Sequence, residues 1–261
     1  MKLGFIGMGN MASAIYTGII KSEFLSNKEI IAYDINAGQF NKLDVKPVIA
    51  KNIEEVINES EMILVAVKPQ VVESVLKPVV SLLKNKVLIS IVLGYDFEKY
   101  NTFLDTSTRH VFVMPNTPAQ VQCGMSLIEQ TNNLTDQELE YVKNMFESFS
   151  EVEVMPSNLM GAAGSLSGCG PAFIYMIIEA LADAAVKEGV PREKAYKLAS
   201  TTVMGSGKMQ RETNIHPGIL KDNVCSPGGS TIQGVKALED GNLRATLMNA
   251  LYACIHYKDK K

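Results

Sequence analysis

Soft metal ligands are scarce in this chain: its 261 residues hold three histidines and four cysteines. Cys123, Cys169, Cys225 and Cys254 lie far apart, with no CxxC pair and no histidine at metal-ligand spacing. They read as reduced thiols, which points to a cytoplasmic protein, and no metal site is expected. Charge of one sign is also lacking. Lys+Arg number 25 against 28 Asp+Glu, a net charge of −3, and no stretch gathers the basic footprint that a phosphate backbone needs. Nucleic acid is therefore not an expected partner. The longest apolar runs, Met62 to Val67 and Val87 to Leu93, have strand length and fall short of the roughly 20 residues that span a bilayer, so no membrane segment is expected. Lys2, an apolar stretch and Ala12-Ser13-Ala14 imitate a signal peptide, but the stretch is short and broken by glycine.

Apolar residues make up 46 % of the sequence, enough for a core in each of two modest domains. The first half alternates short β-branched runs with amphipathic stretches, the pattern of a parallel sheet covered by crossover helices. Strands are expected near 2–6, 29–34, 46–49, 61–67, 86–92 and 109–114, and helices near 10–21, 52–59, 70–83 and 95–104. A strand-like run at Ser126 to Gln130, a helix led by Thr135-x-x-Glu138 as a capping box, and an apolar run near 151–155 complete this domain. From Ser157 onward nothing reads as a strand, and helices are expected over 171–188, 191–212, 227–240 and 242–257. The fold class is thus α/β, a doubly wound sheet over 1–156 followed by an all-helical domain over 157–261. The helix at 171–188 has few charges before Glu179 and little polar face for water, so a second subunit is expected to cover it.

Lys2 to Ile6 leads into Gly7-Met8-Gly9-Asn10-Met11-Ala12, a G-x-G-x-x-A fingerprint lying between a strand and a helix, which marks a Rossmann-type dinucleotide domain. Gly7 permits the tight turn, Gly9 lets the backbone approach a pyrophosphate, and Ala12 lets the helix pack closely with its N-terminus toward the phosphates. Asp34 ends the next strand. A carboxylate there accepts from a ribose 2′-hydroxyl and repels a 2′-phosphate, so the sequence leans to NADH; alternatively Asp34 only caps a helix at 36–44. No Arg or Lys occurs in 35–39 to hold a phosphate, although Asn36 and Asn52 can donate neutral hydrogen bonds.

Four further segments carry chemistry. Ala66-Val67-Lys68-Pro69-Gln70 ends a buried strand and opens a helix, which sets Lys68 at the carboxyl edge of the sheet, where it reads either as a neighbour of the nicotinamide ribose or as a solvated surface lysine. Met114-Pro115-Asn116-Thr117-Pro118 ends another strand at that edge and reads either as a pocket wall or as a rigid turn. Ser167-Gly168-Cys169-Gly170-Pro171 suits a joint between the domains, flexible before Pro171 and rigid after it. Ser226-Pro227-Gly228-Gly229-Ser230-Thr231 is a glycine-rich turn before a helix, hence an anion site or a plain N-cap.

With His216-Pro217-Gly218, these motifs resemble the pyrroline-5-carboxylate reductase family from residue 4 to about 250, in the family's order. The resemblance implies NADPH- or NADH-dependent hydride transfer to a cyclic imine, the last step of proline biosynthesis. It further implies that Ser226, Gly228, Gly229, Ser230 and Thr231 hold the substrate carboxylate. Thr231 would bond the ring nitrogen and, with Lys68, supply the catalytic side chains. Cofactor contacts would run through Ile6, Gly7, Met8, Gly9, Asn10, Met11, Asp34, Asn52, Ala66, Val67, Lys68, Pro69, Asn116 and Asn223. The resemblance also implies a dimer interlocked through the helical domains, each Ser226-to-Thr231 turn completing a pocket near the other chain's cofactor domain. Three segments depart from the family pattern: Cys169 stands where serine is usual, and is expected to be a buried structural thiol; Val92-Leu93-Gly94 replaces smaller residues near the expected nicotinamide; and Ser230 stands where threonine or alanine is common, with only its backbone expected to matter.

Imine reduction needs no strong acid, so the absence of a catalytic histidine fits; His110, His216 and His256 all read as structural. A β-hydroxyacid-type dehydrogenase shares this domain order and would use a helical lysine, for which Lys187, Lys194 and Lys208 are candidates by location alone. A nucleotide-sensing homologue without turnover is the remaining alternative.

Overall fold

The computed structural model describes residues 2–257; Met1 and residues 258–261, the outer ends of the two expected domains, lie outside the described residues. Leu3–Ile6 (β1), Ile30–Tyr33 (β2), Val48–Ile49 (β3), Met62–Val65 (β4), Val87–Ser90 (β5), Arg109–Met114 (β6), Gly124–Glu129 (β7) and Ser150–Met155 (β8) form one sheet in the order β3-β2-β1-β4-β5-β6-β7-β8. β1, β4 and β5 are buried at every position, which is why they read as continuous apolar runs rather than alternating ones. Ile15 and Ile19 of Asn10–Lys21 (α1) and Met145 and Phe146 of a later helix pack on one face; Val56 and Ile57 of Ile53–Glu59 (α2) pack on the other, with Val72 and Leu76. The sheet is doubly wound. Strand order reverses at β1, which lies between β2 and β4, and the carboxyl ends of these strands form the crevice where such sheets bind ligands.

Several elements differ from expectation. The helix predicted over 70–83 is a 3-10 turn, one short α-helix, Val72–Leu76 (α3), and a second 3-10 stretch over Lys77–Leu83, where Pro78 has no N–H to continue an α-helical ladder. Residues 95–104 shorten to Phe97–Asn101 (α4), whose N-cap Asp96 accepts from Lys99 N at 2.9 Å. The capping box at Thr135 opens Asp136–Glu147 (α5). The apolar run near 151–155 proves to be strand β8, paired parallel to β7, which itself runs antiparallel to β6.

The chain does divide at the expected joint, after Gly168, but the helix expected to start at Pro171 starts earlier. Ser157–Lys187 (α6) is a single helix of 31 residues that continues through Pro171. Proline cannot donate to the carbonyl four residues back, that of Ser167. That oxygen instead accepts from Asn116 Nδ2 at 3.0 Å, so the helix continues without an orphaned acceptor. Continuity also changes the reading of apolar length. The glycines and serines between the short apolar runs do not break α6, and by length and composition alone it is long enough to cross a membrane.

The chain divides into two compact units, Met1–Gly168 and Cys169–Lys261. In the second, Arg192–Thr213 (α7), Pro217–Asn223 (α8), Ser230–Asp240 (α9) and Leu243–Ile255 (α10) follow the end of α6, and no strand occurs among its described residues. His216 before Pro217 reads in the sequence as a turn or helix start, and it caps α8, a seven-residue helix outside the expected spans, its Nδ1 accepting from Gly218 N at 3.1 Å. The apolar cluster of this unit centres on Ala182, Ala195 and Ala199, while α9 and α10 bury no residue. Large side chains lie open, including Met176 at 69 % and Met248 at 72 % exposure. Three buried alanines are a thin core for so many helices, so the unit needs cover from outside.

Candidate functional site

Gly7 follows β1 with φ +94°, and a Cβ there would lie 2.7 Å from the Ala66 carbonyl, so only glycine admits the turn and its close approach to the end of β4. Its N–H donates to Tyr33 O at 2.8 Å, while Ala66 N donates to Ile6 O at 2.9 Å, which ties the ends of β2, β1 and β4 together. Gly9 is the N-cap of α1, no side chain caps that helix, and its first turn holds no acidic residue. A Cβ on Gly9 would meet nothing within 4 Å. Uncapped N–H groups, the positive end of the helix dipole and open space beside Gly9 together fit a dinucleotide pyrophosphate. A neighbouring cavity of about 360 Å³ is lined by Gly7, Tyr33, Asp34, Ile53, Val67 and Val71 among others, and its mostly apolar walls suit an adenine ring.

The remaining cofactor-side residues take distinct places. Ile6 and Met8 are buried, Met11 is half-buried and Asn10 is exposed. Asp34 turns onto the glycine loop: Oδ2 accepts from Met8 N at 2.7 Å and Oδ1 from Asn36 N at 2.8 Å. Its carboxylate is therefore not the cap of the following helix. Asn36 caps the 3-10 segment Ala37–Lys42, accepting from Gly38 N at 3.0 Å, in place of the helix expected at 36–44. Asn52 caps α2 by accepting from Glu55 N at 2.8 Å, so its carbonyl oxygen faces inward and its amide remains a donor. Lys68 is exposed just beyond β4 and precedes Pro69. Asn116 is buried with its side chain committed at both ends, Oδ1 accepting from Met125 N at 2.9 Å and Nδ2 donating to Ser167 O at 3.0 Å.

Beyond β5, Val92 turns into the core and only Leu93 projects, 53 % exposed. Ser90 holds this end, its Oγ accepting from Val92 N at 3.2 Å and lying 2.8 Å from the Tyr100 hydroxyl. Burial pushes the Tyr100 phenol up, so it stays protonated.

In the second unit the turn from Ser226 to Thr231 is open except for half-buried Gly229. Gly228 has φ +70°, the left-handed conformation that permits the reversal. Gly229 N donates to Ser226 O at 3.0 Å, and Gly229 is the N-cap of α9 without a side-chain cap. The first N–H groups of α9 are thus left for an anion, with the Ser226, Ser230 and Thr231 hydroxyls on the same short segment. Asn223 ends α8, three residues before the turn. Cys169 is half-buried rather than buried, because its helix covers itself poorly in a single chain; burial and the neighbouring Cys254 thiol push its pKa up.

The histidines have structural roles: His110 stacks on Phe97 at 4.6 Å between ring centroids, and the His256 ring lies 4.2 Å from that of Tyr252. Lys208, a candidate only for the dehydrogenase alternative, pairs with Glu212 along α7. The sequence reading passed over Lys42. Its Nζ reaches Asn10 Oδ1 at 3.1 Å and Gln39 Oε1 at 2.7 Å, which brings a cation to the start of α1. Its only local signal is the spacing of three from Gln39.

Family models divide the chain in the same order. Residues 2–94 match NADP oxidoreductase coenzyme F420-dependent, and residues 157–260 match pyrroline-5-carboxylate reductase dimerisation. The pyrroline-5-carboxylate reductase of Methanosarcina acetivorans is 42 % identical over 257 residues, covering 96 % of this chain and 94 % of its own. That of Escherichia coli is 38 % identical over 264 residues, covering 99 % and 97 %. The crystal structure of the Plasmodium falciparum pyrroline carboxylate reductase with NADP bound superimposes with a TM-score of 0.89 at 33 % identity, over 98 % of this chain and 96 % of that one. The Streptococcus pyogenes enzyme gives 0.86 at 30 % identity, over 100 % and 99 %.

Fold and glycine turn define an NAD(P)H-dependent oxidoreductase with a nucleotide-binding sheet and a helical domain through which chains associate. Within that class, the chain belongs to the pyrroline-5-carboxylate reductase family. The dimerisation domain begins where α6 begins, and so accounts for the open apolar surface of that helix.

Proposed function

We infer that the chain reduces 1-pyrroline-5-carboxylate to L-proline with NADPH or NADH, the closing step of proline biosynthesis. The observation that carries this reading is the intact Ser226–Thr231 turn, an uncapped helix start with three hydroxyls, in the same chain as the dinucleotide turn at Gly7–Met11. When bound, the dinucleotide supplies a hydride to the imine carbon of the protonated ring, which becomes a secondary amine as NAD(P)H becomes NAD(P)⁺. The chain's part is to hold and orient. Backbone N–H groups at Gly228 and Ser230 and the Ser226 hydroxyl would clamp the substrate carboxylate, while Gly229, its N–H held by Ser226 O, would shape the turn. Thr231 would orient the ring nitrogen, and since the imine arrives protonated from solution no stronger acid is needed. Lys68 would border the nicotinamide ribose beside Ala66, Val67 and Pro69, and Asn52, Asn116 and Asn223 would complete the cofactor contacts.

We extend the reading to cofactor choice and assembly. The Asp34 carboxylate, which lines the cavity beside Gly7, makes NADH at least competitive with NADPH. Two chains pair through their helical domains. The deciding experiment follows nicotinamide absorbance on adding the cyclic imine: consumption of either reduced dinucleotide with formation of proline is expected. Dinucleotide binding without turnover would favour the nucleotide-sensing alternative.

A further inference from the structure

Lys42 lies on the 3-10 segment Ala37–Lys42 that follows the Asp34 loop, and its ammonium is held by two neutral oxygens, Asn10 Oδ1 at 3.1 Å and Gln39 Oε1 at 2.7 Å. Among the described residues no carboxylate pairs with it. Two neutral acceptors fix the position of the cation without cancelling its charge, and they leave at least one N–H free. The place it is fixed to is the first residue of α1, directly after Gly9, so a full positive charge stands beside the dinucleotide turn. At the same turn, Asp34 has each oxygen already committed to a backbone N–H, Met8 at 2.7 Å and Asn36 at 2.8 Å. The carboxylate is thus tied to the loop that it stabilises, while the lysine is held by neutral groups alone.

We propose that Lys42 is a specificity-determining residue of the cofactor site: held by Asn10 and Gln39, it takes the adenosine 2′-phosphate of NADPH and offsets the repulsion from Asp34. The proposal rests on the reading of Gly7–Met11 as the dinucleotide turn. It makes the chain a user of both cofactors, with opposite charges setting the balance: Asp34 accepts from a free 2′-hydroxyl, and Lys42 donates to a 2′-phosphate. The two neutral partners, Asn10 and Gln39, aim the ammonium, and Asn36, whose carbonyl oxygen is committed to Gly38 N, keeps an amide donor on the same loop.

The test is equilibrium binding of NADH and NADPH to the full chain, read by nicotinamide fluorescence without substrate. Lys42→Met is expected to weaken NADPH about 10-fold, the loss of one charge-assisted contact, and to leave NADH within about twofold. Lys42→Arg should keep most of the NADPH affinity, and Asp34→Asn should tighten NADPH. Raising ionic strength should weaken NADPH more than NADH in the wild type and equally in Lys42→Met. Equal weakening of both dinucleotides by Lys42→Met would assign the lysine to the shared pyrophosphate and overturn the proposal, as would no change in either. Failure of the wild type to bind either dinucleotide would overturn the reading of the turn itself.

Discussion

Asn116 Nδ2 donates at 3.0 Å to the carbonyl oxygen of Ser167, the acceptor that Pro171 leaves unmatched one helical turn later. Asn116 also accepts from Met125 N at 2.9 Å, so one amide side chain joins the end of β6, the start of β7 and the interior of α6. Removing it leaves a buried acceptor and a donor without partners. Asn116→Leu is expected to destabilise the chain by about 2–4 kcal/mol, on the order of 1–2 kcal/mol for each group, measured by denaturant unfolding. Pro171→Ala should then recover part of the loss, because alanine, unlike proline, supplies the missing N–H. Equal effects of Pro171→Ala in the wild type and in Asn116→Leu would show that the two residues are not coupled.

Thr231 is proposed to act on the substrate and not on the dinucleotide. Thr231→Ala should lower kcat/KM about 10- to 100-fold, the value of one oriented hydrogen bond of about 1.5–3 kcal/mol. Fluorescence titration should give an unchanged Kd for NADPH. Undiminished imine kinetics would remove Thr231 from the mechanism.

Assembly follows from the exposed side chains of α6. Sedimentation at micromolar concentration should find no monomer. Met176, 69 % exposed in the single chain, lies on the stretch that needs cover, and Met176→Glu should weaken association about 100-fold or more by placing an unpaired charge in an apolar contact. A wild-type monomer would remove the assembly reading.

Arg109 and Glu138 link β6 to the first turn of α5 by a fork, with Arg109 Nε at 2.8 Å and Nη2 at 2.8 Å from the two carboxylate oxygens. Desolvation pushes the Glu138 carboxyl up, but hydrogen bonds from Arg109 and Thr135 outweigh it, and the pKa falls below its ordinary 4.5. A depressed carboxyl contributes stability above its unfolded pKa and loses that contribution as pH falls through the folded one. Glu138→Gln should cost about 1 kcal/mol at pH 7, discounted for the partly exposed arginine, with the difference from wild type shrinking below pH ~4. A difference that stays constant to pH ~3 would mean that the loss is one of packing.

Much of the fold was legible because the information is local. Buried strands such as Met62–Val65 announce themselves as apolar runs, Thr135 and Glu138 lie three apart in a capping box, and Gly7, Gly9 and Ala12 sit within six residues. The candidate site was legible as a set of short motifs for the same reason. Glycine at a left-handed turn and an uncapped helix start are properties of consecutive residues. The helix start expected at Pro171 misled because glycine and proline are local breakers, and nothing local reports a hydrogen bond from elsewhere.

The sequence by itself determined the doubly wound class, the all-helical second part, the two glycine turns and the membership of the family. Tertiary structure alone decided that α6 runs unbroken, that Asp34 is tied to Met8, and that Lys42 stands beside Asn10. These contacts join residues 51, 26 and 32 positions apart. Side chains so far apart meet only when strand order and helix packing bring them together, and whether each oxygen or nitrogen is spent inward or left for a ligand depends on the partner that the fold delivers.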